Sequence, residues 1–270
     1  MAYTLGLIGA GNMATAIVTA ALRAAVLEPR QLIAADPSPE RREAMKTLGV
    51  KAVDDLAQVA RASDQVLLAV KPQAWPEVAR DLAAHLKPEH VLVSVMAGVT
   101  TARLAADLAE HGGAAARIVR VMPNTPMLVG QGMAAVALGA DARPGDDELT
   151  MRMFQAGGKA IRIDERHMDA VTAVSGSGPA YLFYLAEAMQ RAAGELGLGE
   201  HGRTLVSQTL VGAAHLLAES PDTASELKRK VMSPGGTTEA AISQLDREHV
   251  SDAVVAAIAA AAVRSRELGA

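Results

Sequence analysis

The chain contains no cysteine, which excludes disulfides, thiolate catalysis and cysteine-ligated metals. Its histidines, at positions 85, 90, 111, 167, 201, 215 and 249, are scattered and form no ligand-spaced pair. No metal site is therefore expected. No Gly-x-Ser-x-Gly elbow is present. A net charge of −4 gives no reason to expect nucleic acid or an anionic membrane as partner. The apolar run 253–263 is bounded by charges and too short to span a bilayer. No basic stretch followed by a long apolar core opens the chain, so a cytoplasmic location is the expectation. Aromatics make up only 2% of the residues, and three of them, Tyr181, Phe183 and Tyr184, lie close together.

What is present is ordered around the first dozen residues. Leu5, Leu7 and Ile8 belong to a short apolar run that reads as a buried strand. It leads into Gly9-Ala10-Gly11-Asn12-Met13-Ala14, a Gly-x-Gly-x-x-Ala turn, and then into a helical pattern over residues 14–25. A strand feeding a glycine turn feeding a helix is the context in which this short motif signifies dinucleotide binding. Gly9 permits the tight turn, Gly11 lets backbone approach a pyrophosphate, and Ala14 lets helix and strand pack closely. The helix start, with Asn12 and Met13 in its first turn, offers N–H groups and a positive dipole end to phosphate.

Apolar strand patterns then alternate with helical ones: residues 31–35, 50–53, 65–70, 91–96 and 117–121, with a further strand-like stretch at 131–137 and another at 159–163. This predicts a parallel sheet covered on both faces. Ligands of such sheets bind beyond the carboxyl ends of the strands. That rule selects three strand exits, Lys71–Trp75, Ala97–Thr100 and Met122–Pro126, where Val70, Lys71, Pro72, Ala97, Gly98 and Asn124 are the expected cofactor contacts. Asn124, stiffened between two prolines, is expected to hydrogen-bond the nicotinamide end. Lys71 is either a ligand contact or a solvated lysine at a loop start. Asp36 follows the second strand, where a carboxylate accepts from the adenosine ribose and repels a 2′-phosphate. The alternative is a cap for the helix near Pro39, shared with Ser38. Arg41 and Arg42 favour a 2′-phosphate, so the choice between NADH and NADPH stays open.

After residue 163 the strand pattern stops and long Ala-, Leu- and Val-rich helical patterns take over. Two domains follow: 1–163, a Rossmann-type α/β dinucleotide-binding domain, and 164–270, an all-α helical domain whose small residues suit close helix packing and dimerisation. Within the latter, Ser233-Pro234-Gly235-Gly236-Thr237-Thr238 makes a flexible turn at a helix start, with three hydroxyls and exposed N–H groups. Such a nest suits a small anion such as a carboxylate. Helix capping by Ser233 or Thr237 is the plainer reading, but a cap needs neither paired glycines nor a second threonine. With so little acid–base machinery, hydride transfer to an electrophile already activated, such as a cyclic iminium, is the chemistry that fits.

These motifs together resemble the pyrroline-5-carboxylate reductases. The resemblance runs almost end to end: Gly9-Ala-Gly-Asn-Met13, Ala69-Val-Lys-Pro72, Ala97-Gly-Val-Thr100, Met122-Pro-Asn-Thr-Pro126, Ser175-Gly-Ser-Gly-Pro-Ala-Tyr181 and Ser233-Pro-Gly-Gly-Thr-Thr238. It implies NADPH- or NADH-dependent reduction of 1-pyrroline-5-carboxylate to L-proline, in a homodimer or a decamer of five dimers. It implies that Ser233, Gly235, Gly236, Thr237 and Thr238 bind the substrate, with the Thr238 hydroxyl near the ring nitrogen. Two positions depart from the family pattern: Met232, where Thr, Cys or Ser is usual, and Asp36, where some members have Ser. A β-hydroxyacid dehydrogenase shares the domain plan, but needs a lysine where this chain has Leu182 and an asparagine where it has Leu185. A non-catalytic dinucleotide-binding regulator is the third reading, disfavoured by the second anion site at 233–238.

Overall fold

The computed structural model describes residues 3–269. The chain forms two compact units: one runs to Ser177 and takes back the chain from Ala261 on, and the other is Gly178–Ala260.

The first unit is built on an eight-stranded sheet, ordered β3-β2-β1-β4-β5-β6-β7-β8. In chain order the strands are β1 Tyr3–Ile8, β2 Leu32–Ala35, β3 Lys51–Val53, β4 Ser63–Leu68, β5 Val91–Ser94, β6 Arg117–Pro123, β7 Gly132–Leu138 and β8 Gly158–Arg162. All pairs from β3 to β6 are parallel. The order reverses beside β1, which makes the β1–β4 border the switch point where a crevice opens. Strand residues alternate between two buried apolar layers: Leu5, Leu7, Leu32 and Leu67 pack with Ile17 and Phe154 on one face. Ile8, Ile33, Val66 and Leu68 pack with Trp75 and Leu82 on the other. Both faces are thus covered, as the apolar strand runs require.

The expected sheet differs at one place. β7 lies antiparallel to β6, with Val121 opposite Val136. The link between them is a single 3-10 turn, Thr125–Val129, closed by Gly130 in the left-handed region. A parallel crossover needs a dozen or more residues; this link has room only for a reversal.

Residues 164–177, expected with the helical domain, belong to the first unit instead, as does the chain after Ala261. The reason is a polar network. Arg120, almost wholly buried on β6, lies 3.2 Å from Glu165 and 4.0 Å from Asp169. Glu165 accepts from the Thr101 N–H at 2.8 Å and from its hydroxyl at 2.5 Å. Asp169 accepts from the buried Ser265 hydroxyl at 2.7 Å. A buried guanidinium requires such partners, and these are spread over residues 101–265.

The second unit holds the helices Gly178–Glu195, His201–Glu219, Ala224–Lys230 and Thr237–Arg247, with most of Val250–Gly269. Thr223 caps its helix in a reciprocal capping box with Glu226, and those bonds hold the Glu226 carboxyl below its usual value. The first two helices pack closely where Gly202 meets Ala193. Much of the apolar surface stays uncovered: Phe183 is 68% exposed and Tyr184 76%.

Candidate active site

The glycine turn lies at the exit of β1 and is fixed from three sides. The Gly9 N–H donates to the Ala35 carbonyl at 2.8 Å. Gly9 has φ +94°, and a Cβ there would stand 2.6 Å from the Ala69 carbonyl oxygen; only glycine fits. The Ala10 N–H donates to Asp36 Oδ2 at 2.8 Å. Gly11 differs, because a Cβ on it would meet nothing within 4 Å. Gly11 is also the N-cap of the helix Asn12–Arg23, with no side chain capping that helix. Its first N–H groups are therefore free for an acceptor. An uncapped helix start beside an open glycine face fits a dinucleotide pyrophosphate.

Asp36 is expected to meet the ribose, yet the structure gives it a second task. It is 3% exposed; Oδ2 holds the Ala10 N–H and Oδ1 accepts from the Ser38 N–H at 2.9 Å. Ser38 alone caps the helix Pro39–Thr47, accepting from the Arg41 N–H, while Asp36 holds the Ser38 N–H just ahead of it. Arg41 lies 3.5 Å from Asp36 Oδ2. Arg42 donates to the carbonyls of Asp36 and Pro37, at 2.8 Å each. Both guanidiniums are thus gathered around Asp36 at the exit of β2.

The other predicted cofactor residues follow the neighbouring strands. Val70, Lys71 and Pro72 lie just past β4, with Lys71 exposed. Ala97 is half-buried past β5. Gly98, φ +79°, has a packing role that its sequence neighbours do not disclose: a Cβ would stand 2.9 Å from the Ser265 carbonyl oxygen and from Leu268 Cβ. Asn124 is buried past β6. Its Oδ1 accepts from the Met133 N–H at 2.8 Å, and its Nδ2 donates to the Ser175 carbonyl at 3.1 Å. The amide expected to meet nicotinamide is therefore engaged by the protein itself. All these residues share one end of the sheet, at the exits of β1, β2, β4, β5 and β6.

In the second unit, Ser233, Gly235, Gly236, Thr237 and Thr238 form one turn. Gly235 takes φ +70°, and Gly236 is the N-cap of Thr237–Arg247 with no side chain capping the helix. Capping by Ser233 or Thr237 is therefore not what these residues do. The Gly236 N–H, expected to hold a carboxylate, donates instead to the Ser233 carbonyl at 2.9 Å, because the tight turn uses it. The Gly235 N–H does hold a carboxylate: Glu239 Oε2 accepts from it at 2.6 Å. That side chain belongs to the first turn of the helix that the loop opens. Among the described residues no His, Cys, Asp and Glu cluster suited to a metal is present. Among the described residues no helix is long and apolar enough to cross a membrane.

Fold and turn geometry define a dinucleotide-binding oxidoreductase with an attached helical unit. Comparison with known proteins narrows this. Residues 165–268 match the family described as pyrroline-5-carboxylate reductase dimerisation. Residues 4–98 match the family described as NADP oxidoreductase, coenzyme F420-dependent. Pyrroline-5-carboxylate reductases of Pseudomonas aeruginosa and Pisum sativum are 41% and 39% identical, each over 98% of this chain and 96% of the relative. The Coxiella burnetii pyrroline-5-carboxylate reductase structure superposes with TM-score 0.88 at 34% identity, covering 100% of both chains. The Plasmodium falciparum pyrroline carboxylate reductase with NADP bound gives TM-score 0.88 at 29% identity, over 99% of this chain and 98% of that one. The chain belongs to the pyrroline-5-carboxylate reductase family.

Proposed function

We propose that the protein reduces 1-pyrroline-5-carboxylate to L-proline, the last step of proline biosynthesis, with NADPH or NADH as reductant. The single observation that carries this reading is the uncapped helix start at Gly236 with its carboxylate-holding Gly235 N–H. NAD(P)H supplies the hydride. The electrophile is a protonated cyclic imine, so the protein orients it and needs no strong base to activate it.

Roles follow from the chemistry of each turn. Gly9, Gly11, Asn12 and Met13 present backbone to the pyrophosphate, and Val70, Lys71, Pro72 and Ala97 line the way toward the nicotinamide. Asp36 with Arg41 and Arg42 places both signs of charge at the adenosine end, which accommodates either cofactor. Ser233, Thr237 and Thr238, with the Gly235 N–H, hold the substrate carboxylate, and the Thr238 hydroxyl lies by the ring nitrogen. The first unit, up to Ser177 and again from Ala261, serves the cofactor, and Gly178–Ala260 serves substrate and dimerisation. The uncovered apolar helices are buried in a homodimer, five of which build a decamer, and the enzyme works in the cytoplasm.

The test is NAD(P)H consumption with pyrroline-5-carboxylate, set against 3-hydroxyacids with oxidised cofactor. Turnover in the first alone supports the reading. Turnover in the second favours the dehydrogenase, although Leu182 and Leu185 stand where its base and asparagine belong. Silence in both leaves a regulator.

A further inference from the structure

Just before the second unit begins, the backbone does something uncommon. Residues Thr172–Gly176 form a π-helical turn, closed by the Ser177 N–H donating to the Thr172 carbonyl at 2.8 Å. Such widened turns recur at functional sites. The turn is pressed against the exit of β6: a Cβ on Gly176 would collide with the Met122 side chain.

Sequence explains what holds it. The Ser175 carbonyl would ordinarily receive the N–H of the residue four places on, but that residue is Pro179, which has none. Asn124 Nδ2 takes over as donor at 3.1 Å. The amide has only one possible orientation, since its Oδ1 must accept from the Met133 N–H. The same Nδ2 lies 3.4 Å from Ser175 Oγ, so that oxygen is an acceptor toward Asn124. Its own hydrogen then points elsewhere and has no acceptor among the described residues. Two neighbouring hydroxyls at the sheet end already donate within the protein: Thr101 to Glu165 and Thr15 to the Gly11 carbonyl.

We infer that Ser175 is the hydrogen-bond donor to the carboxamide oxygen of the nicotinamide, and that Asn124 is the positioning residue that aims it. Asn124 thus acts on the nicotinamide end through Ser175 rather than by its own contact. The inference rests on the NAD(P)H chemistry proposed above. It leaves Thr238 and the 233–238 turn to the substrate.

The test is equilibrium titration of the full-length protein with NADPH and with its thionicotinamide analogue, whose sulfur is a poor acceptor. Ser175→Ala should weaken NADPH binding about threefold to tenfold, the value of one hydrogen bond, with the melting temperature unchanged. It should leave thionicotinamide binding nearly unaltered, so that discrimination between the two cofactors collapses. Ser175→Thr should restore it. Asn124→Ala should lose the same discrimination, and if that variant does not fold, the Ser175→Ala and Ser175→Thr pair decides alone. Equal discrimination in wild type and Ser175→Ala overturns the inference. Binding is read without substrate, so failure to turn over pyrroline-5-carboxylate sinks the functional reading and not this one.

Discussion

The two glycine turns of this chain look alike in sequence and are held in opposite ways. Each feeds a helix with no side-chain cap, at Gly11 and at Gly236. The turn at 9–14 is fixed by distant parts of the first unit: Ala35, Asp36 and Ala69 hold Gly9 and Ala10. Among the described residues, the hydrogen bonds that hold the 233–238 turn come from its own neighbours, Ser233 and Glu239. A dinucleotide is long and always the same, so a rigid, preformed cradle suits it. A small substrate must enter and leave each cycle, and a locally held turn with an exchangeable internal carboxylate suits that.

The largest way to break this contrast is Gly9→Ala. Its positive φ and the collision with the Ala69 carbonyl should cost about 2–5 kcal/mol, read as a lowered denaturation midpoint. A Gly235→Ala variant tests the other turn, where a Cβ meets nothing within 4 Å. Only its φ opposes substitution, and global stability should fall by about 1 kcal/mol. Equal losses for the two would erase the distinction.

Gly11→Ala sharpens the first turn. With open space around the added methyl, the melting curve should stay in place. NADPH binding should weaken about tenfold, as for the loss of one charge-assisted hydrogen bond. The smallest effect is expected at Glu239. Glu239→Gln removes the half-buried carboxylate that competes for the Gly235 N–H. The KM for pyrroline-5-carboxylate should fall about twofold to fivefold, in line with an ionic contact at the surface. A raised KM would make Glu239 a support of the turn instead.

Much of this is legible in the sequence because it is local. The apolar strand runs, the caps at Ser38 and Thr223, and Gly9 and Gly11 all follow from short-range rules. The reversal at β7 is legible in principle, since the link from Asn124 to Gln131 is too short for a crossover. What stays hidden depends on contacts far apart in the chain. Position at a strand exit assigns Gly98 to the cofactor, and its close approach to Ser265 and Leu268 cannot be read from spacing. A stiff loop assigns Asn124 to nicotinamide; its partner Ser175 becomes visible only when Pro179 is seen to withhold a donor. Composition groups residues 164–177 with the helices, whereas Arg120 draws Glu165 and Asp169 to the sheet.

The central claim divides the labour: the first turn serves the reductant, and the second serves what is reduced. Steady-state turnover of Thr238→Ala with pyrroline-5-carboxylate, alongside its NADPH affinity, tests that division most directly. Turnover should fall about tenfold or more, as for a hydrogen bond to a charged group, with NADPH affinity and melting temperature at wild-type values. Wild-type turnover would contradict the account, as would a loss of NADPH binding equal to the loss of rate.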